Sequence, residues 1–523
     1  MPGGHSEDCL YLSVYAPSKA TSSSNLPVFF FIQGGGFNAN ANPNLDGTGL
    51  IKASGDNIIV VTLNYRVGPY GFLASSASGL QGSSSNNGLK DQRKALQWVQ
   101  THISKFGGNP SRVVLGGDSA GAASISLHMV AYDGRDEQLF HGAAAESISF
   151  APVLTNAQSQ FQYDNLAKAV GCKDTDPAKS LACLRSKSTS EIQAHNRNIP
   201  HKGQSQAPLY LFGPTIDNDL LSDVTYNLFA QGKFINVPTI AGDDTNGGTA
   251  FTPKSASSQT DSNAFLSAQF PDLTKSQLEA IAKLYPVPKE GWWRQVSNVY
   301  GEMRYMCPGL YISSAIANAS TTATRSSRSP RSADGSVFHM LERRKKRIGI
   351  LTKGSKSRPK AIKGNPNSSS GSSSSSPLAS VATGVKSWAY RYNVEDPDQM
   401  SKGLGVPHTV ELYAIFGPTQ LPRGTVAPAS YQSGGSNANV VPVIQGYWTS
   451  FIRSLDPNTY RTAGSAKWDS YYSAGGVPQR IVFQNAGVTE MEDVDNGLRS
   501  RCAYLQSIGP SIKQKREEVD AVS

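Results

Sequence analysis

Two short runs near the start of the chain are apolar at almost every position. PVFFFIQ (Pro27 to Gln33) and NIIVVTLNY (Asn57 to Tyr65) are rich in aromatic and β-branched residues, are too short for buried helices, and read as strands. The pattern then changes period: Leu89, Leu96, Val99 and Ile103 fall on one face of a helix predicted over Asn87 to Phe106, which the segment Gly107 to Pro110 stops. A strand is predicted over Arg112 to Leu115, and a helix of small residues from Ala120. Another strand is predicted over Val237 to Ala241, and Ile444, Trp448, Phe451, Ile452 and Leu455 keep helical spacing. Short apolar runs alternating with helical patterns predict an α/β fold, a central, mostly parallel sheet flanked by helices.

From about Thr321 to Thr383 the pattern disappears. A Ser/Arg-rich start, the run ERRKKR (Glu342 to Arg347) and GNPNSSSGSSSSSP follow one another, and such a composition buries too little apolar surface to offset chain entropy. The stretch is expected to be a disordered insertion in one domain spanning 1–523. It reads either as a regulatory or targeting loop or as an insertion without a role.

This segment also explains the charge. The chain carries a formal +10, but 13 Lys or Arg against Asp334 and Glu342 lie between Arg325 and Lys363, a local excess of eleven that leaves about −1 elsewhere. Nucleic acid is therefore not an expected partner of the globular part. With 38% hydrophobic and 17% charged residues and no run of eighteen apolar residues, the composition fits a soluble globular protein without a membrane span. Oligomeric state is not legible. Of five cysteines, Cys172 and Cys183 close a short loop, either as a disulfide in an oxidising compartment or as buried thiols.

Candidate chemistry begins at Gly117-Asp118-Ser119-Ala120-Gly121, a G-x-S-x-G pattern placed between a predicted strand and a predicted helix. There the glycines permit a strained turn that lifts the serine hydroxyl above the sheet, making Ser119 a candidate nucleophile. Upstream, Gln33-Gly34-Gly35-Gly36-Phe37 follows a strand. Backbone N–H groups at Gly35 and Gly36, with that of Ala120, are candidate donors to the oxyanion formed when a hydroxyl attacks an ester carbonyl, each worth about 3 to 4 kcal/mol. A general base is expected late in the chain. Among eight histidines, six come early and His339 lies in the insertion, which leaves His408 in GLGVPHTVEL. No metal or organic cofactor is needed for this chemistry.

SEDCLYLSVY (6–15), NYRVGPYGFL (64–73), NGLKDQRKALQWV (87–99) and FGGNPSRVVLGGDSAG (106–121) resemble the type-B carboxylesterase/lipase family, which includes cholinesterases and secreted fungal esterases. The resemblance runs from Ser6 to about Ala319 and from Val385 to near Leu505. It implies an α/β-hydrolase fold with Ser119 as nucleophile, His408 as base, and Gly35, Gly36 and Ala120 as oxyanion hole. It also implies a Cys172–Cys183 disulfide, a second pair Cys307 and Cys502, and an extracellular location. Asn318 begins the glycosylation sequon Asn-Ala-Ser, as Asn367 begins Asn-Ser-Ser; only secretion makes either meaningful, and Asn318 is the preferred site.

The chain departs from that family in three places. Where the family carries a catalytic glutamate the sequence reads Asp244-Thr245-Asn246-Gly247-Gly248-Thr249, so the acid that would orient and stabilise the imidazole is glycine, Gly247. Asp243, Asp244 and Glu411 are the candidate substitutes. The family's N-terminal strands and a partner for Cys9 are expected to be missing, and MPGGHSEDCLYLSVYAP has neither the basic nor the apolar region of a signal peptide. The third departure is the insertion. Two functions follow: a carboxylic-ester hydrolase acting on a small-molecule or lipid ester through an acyl-enzyme, impaired by the loss at Gly247, or a catalytically inactive esterase-like protein.

Overall fold

Strand alternation in Leu26–Ile32 divides the molecule into two cores. Val28, Phe30 and Ile32 enter one, Phe29 and Phe31 the other, and all five are at most 1% exposed. That is why this run is apolar at every position: both faces of the strand are covered. The computed structural model describes residues 6–39, 45–76, 83–322, 385–421, 425–472 and 476–512. The predicted insertion lies outside them, apart from its first two residues.

The strands are β1 (Leu12–Tyr15), β2 (Leu26–Ile32), β3 (Ile59–Leu63), β4 (Gly108–Asp118), β5 (Gly142–Glu146), β6 (Leu154–Thr155), β7 (Thr215–Ile216), β8 (Thr239–Asp244), β9 (Ser387–Asn393), β10 (Gln479–Gln484) and β11 (Thr489–Asp493). Nine of them form one sheet in the order β1-β3-β2-β4-β5-β8-β9-β10-β11, while β6 and β7 pair separately. Every pair from β3 to β10 is parallel, and β1 and β11 close the ends antiparallel. The predicted class, an α/β-hydrolase with a mostly parallel sheet between helices, is the observed one.

Helices Asn87–His102 and Ala120–Gly134 cover one face, contributing Leu89, Leu96, Val99, Ile125 and Met129 to its core. Helix Val440–Ser454 covers the other with Ile444, Trp448, Phe451 and Ile452. Several predicted bounds move. The α-helix from Asn87 ends at His102 and continues as a 3-10 turn, Ile103–Phe106. Leu455 takes a left-handed conformation after its helix, and β4 is longer than expected. Its first residues pair beside Leu26 across an irregularity in the ladder, so the segment expected to be only a helix stop also starts a strand. No helix among the described residues is long and apolar enough to cross a membrane.

Candidate active site

Because β2, β4, β5, β8 and β9 are parallel, their carboxyl ends lie along one edge, and the candidate catalytic residues sit at those strand ends or in the segments that follow them. Ser119 stands between β4 and the following helix with φ 53° and ψ −115°, a conformation that L-residues rarely adopt. Two glycines hold it there. A methyl group on Gly121 would lie 1.8 Å from the Ile32 carbonyl oxygen, and one on Gly117 would lie 2.7 Å from both that oxygen and the Gly121 backbone. The helix therefore starts in backbone contact with the end of β2, which forces the turn at Ser119. The Ser119 N–H donates to the Glu146 carbonyl at 2.9 Å, tying the turn to β5.

The glycine loop after β2 lies against this turn. A methyl group on Gly34 would be 2.9 Å from Ser119 Cβ, and the Gly34 N–H donates to Asp118 Oδ1 at 2.8 Å. Gly35 and Gly36 have φ of 109° and 60°. Among the described residues their N–H groups donate to no protein acceptor. The loop is nevertheless fixed: Asn38 donates to the Gly36 carbonyl at 2.8 Å and accepts from the Phe212 N–H at 3.1 Å, and the Gly68 N–H donates to the Phe37 carbonyl at 2.7 Å. Two free donors on a rigid loop beside a serine can bind an oxygen that gains negative charge. Ala120, buried at the helix start, follows the serine directly.

His408 sits in the loop after β9. Its ring stacks on Tyr305 with centroids 4.1 Å apart and meets the edge of Phe251 at 5.2 Å. Both ring nitrogens are buried and, among the described residues, neither has a hydrogen-bond partner. Burial first, and the Arg304 guanidinium second, push its pKa down to about 3. The imidazole is therefore neutral at ordinary pH, as a base must be, but no acid among the described residues hydrogen-bonds to it to offset the charge it gains on taking a proton.

Gly247 leaves a place for a side chain. A Cβ there would meet Tyr305 Cδ2 at 3.5 Å and the Asp244 carbonyl at 3.7 Å, ordinary contacts, whereas one on Gly248 would lie 2.0 Å from the Ser297 carbonyl. Packing thus demands glycine at 248 and not at 247. The loops carrying Gly247 and His408 are laced together: Asn246 exchanges hydrogen bonds with Val406 at 2.9 and 3.0 Å, and Thr249 Oγ1 donates to the Leu404 carbonyl at 2.8 Å.

None of the three substitute acids hydrogen-bonds to His408. Asp244 Oδ2 accepts from the Thr409 N–H at 2.7 Å and from Ser147 Oγ at 3.1 Å, so it braces the backbone of the histidine loop instead of the ring. Glu411 Oε1 accepts from Tyr390 at 3.1 Å and is 3.2 Å from the same Ser147 hydroxyl. Burial pushes Asp244 and Glu411 above the usual carboxylate range, and the charge of Glu411 pushes Asp244 further. Burial likewise raises Asp243 to about 7.

The sequence reading missed Asp118, Glu146 and Ser147 as site residues. Asp118 fastens the glycine loop and is raised to about 7 by burial, against the lowering effect of the Gly34 N–H. Glu146 accepts from Trp448 Nε1 at 2.8 Å and from the Gly117 N–H at 3.2 Å, and burial raises it as well. The one signal in the sequence was an acid closing the buried small-residue strand GAAAE.

Of two pockets near the glycine loop, the larger reaches it at Gly36 and Phe37 and is lined also by Tyr210, Phe212, Gln162, His201 and Arg304. The smaller is lined by Phe37 and Phe150 among others. Neither is lined by Ser119 or His408; the larger meets the candidate site through Gly36. Elsewhere, Cys172 is joined to Cys183 and Cys307 to Cys502 as disulfides, and Cys9 is free. Asn318 is exposed on helix Cys307–Thr322.

Residues 2–322 match the carboxylesterase family. Lipase 2 of Geotrichum candidum is 35% identical over 294 residues, 54% of this chain and 52% of that protein, and the cholinesterase of Mus musculus is 35% identical over 339 residues, 61% and 54% of the two chains. Secreted lipase 1 of Botryotinia fuckeliana is 38% identical over 254 residues, 47% and 44%. The chain thus spans about half the length of the curated relatives it matches. The crystal structure of Aspergillus niger EstA is similar with a TM-score of 0.81 and 35% identity over 98% of this chain and 86% of that one. With the family matched over more than half of its length, this chain belongs to the carboxylesterase family.

Proposed function

We propose that this chain is a serine-dependent carboxylic-ester hydrolase with a two-residue catalytic pair where its family has three. Ser119 Oγ attacks the ester carbonyl, the N–H groups of Gly35, Gly36 and Ala120 hold the oxyanion, and His408 takes the serine proton and delivers it to the leaving alcohol. Water then enters by the same route in reverse and releases the acid and Ser119. The observation that carries this reading is the pair of unengaged N–H donors at Gly35 and Gly36 on a loop packed against Ser119.

Turnover is expected to be reduced. A buried imidazole without a carboxylate loses the stabilisation of its protonated form, a loss worth about ten-thousandfold in serine proteases that nevertheless leaves catalysis above water. The unpartnered nitrogens of His408 also support the second reading, an esterase-like protein without activity. Chromogenic ester hydrolysis and labelling by a fluorophosphonate separate the two. The hydrolase reading expects slow turnover and covalent labelling, both lost in Ser119→Ala; equal rates for wild type and variant would sink it.

The same proposal takes residues 1–523 as one hydrolase domain with 321–383 as an insertion. It places the protein outside the cell, with Asn318 glycosylated, and the two disulfides support an oxidising compartment.

A further inference from the structure

Three arginines among the described residues are almost wholly buried: Arg93, Arg304 and Arg480, at 5%, 5% and 6% exposure. Arg93 is paired with Glu137 and Arg480 with Glu492. Among the described residues Arg304 has no acidic partner, and its side chain makes a single hydrogen bond to them, from Nε to Ser149 Oγ at 2.8 Å. A guanidinium has five N–H donors and stays charged, and burying it without a counter-charge is costly unless something outside the protein completes the pair.

Its position says what that is. Arg304 lines the larger pocket, which Gly36 lines as well. The Tyr210 ring closes on that glycine so tightly that a methyl group there would lie 2.4 Å from it. No Asp, Glu, Lys or other Arg lines the pocket. A substrate whose carbonyl oxygen sits at Gly35 and Gly36 would extend past Tyr210 toward one fixed positive charge.

We infer that Arg304 is a specificity residue, and that the ester this chain hydrolyses carries a carboxylate that pairs with it. This rests on the hydrolase reading above. A guanidinium fork matches a carboxylate edge to edge. One fixed cation balances one monoanion, while a phosphate would bring a second negative charge that, among the lining residues, only the imidazole of His201 is able to offset, and only when protonated. Pairing also bears on the chemistry: Arg304 is the charge that disfavours protonated His408, and a substrate carboxylate beside it would cancel that effect. The carboxylate itself is unchanged by the reaction.

The test compares kcat/KM for matched esters. In the acyl arm, the mono-4-nitrophenyl ester of glutaric acid is set against 4-nitrophenyl pentanoate; in the alcohol arm, 4-acetoxybenzoate against 4-acetoxybenzamide. Wild type is expected to favour the anionic ester at least tenfold in one arm, and that arm locates the pocket. Arg304→Gln should erase the preference and Arg304→Lys retain part of it. Binding of butyrate against butyramide to Ser119→Ala protein, with and without Arg304→Gln, reads the same pocket without turnover. If no ester is hydrolysed but butyrate binds through Arg304, the hydrolase reading fails and the anion site stands. Equal handling of charged and neutral esters, with butyrate binding absent or indifferent to Arg304, overturns the inference, and the wild-type comparison decides even if Arg304→Gln does not fold.

Discussion

Ser119 and Asp118 are neighbours with opposite demands on their surroundings. As the proposed nucleophile the serine must meet substrate, whereas Asp118 is buried beside it, holding the Gly34 N–H with a carboxyl whose pKa is raised to about 7. An acid with a folded pKa above its unfolded value of about 3.8 adds stability that is complete below the unfolded value and is lost as pH rises through 7. At ~1.4 kcal/mol per unit the effect is several kcal/mol. Asp118→Asn keeps an acceptor for Gly34 and removes the titration. Its unfolding temperature should therefore vary less than that of wild type between pH 5 and 8, by thermal denaturation at both pH values. A variant with the wild-type pH dependence would mean that the carboxyl is already ionised in the folded protein.

The elements explain which parts of the sequence were legible. The run Val28 to Ile32 declared a strand because both of its faces are buried, and the G-x-S-x-G turn was readable because backbone contact excludes side chains at Gly117 and Gly121. Gly121→Ala would place a carbon 1.8 Å from the Ile32 carbonyl and should destabilise the fold by about 3 kcal/mol or more, read from denaturant midpoints. An unchanged midpoint would show that the helix can retreat from β2. The extension of β4 to Gly108 was not legible, because its added residues gain their pairing from Leu26, more than eighty residues away. Tyr305 against His408 was equally hidden: it comes from a single π-helical turn, Glu302–Met306, whose sequence shows no sign of facing the site.

At the scale of the whole molecule, the candidate site is a product of strand order. Ser119, Glu146, Asp244 and His408 come from four segments spread over nearly three hundred residues, and adjacency of β4, β5, β8 and β9 brings their ends to one edge. The sequence supplied the identities and the chain order. The topology supplied the Asp244, Ser147 and Glu411 contacts, which pairwise spacing could not. Closure of the chain by Cys307–Cys502, across a separation of 195 residues, ties the helix after the Tyr305 turn to helix Asn496–Ile508. Replacing both cysteines by alanine should cost about 2 to 5 kcal/mol in equilibrium unfolding, and no loss at all would mean that packing alone holds these helices.

The central claim is that a serine esterase site persists here with its third member deleted, and the pH profile of kcat/KM for 4-nitrophenyl butyrate in wild type and Gly247→Glu tests it most directly. A carboxylate restored beside the imidazole should raise the plateau about a hundredfold or more. It should also move the acid limb from below about pH 5 toward the ordinary histidine value near 6.5. Coincident profiles would contradict the account, since Gly247 would then mark no loss.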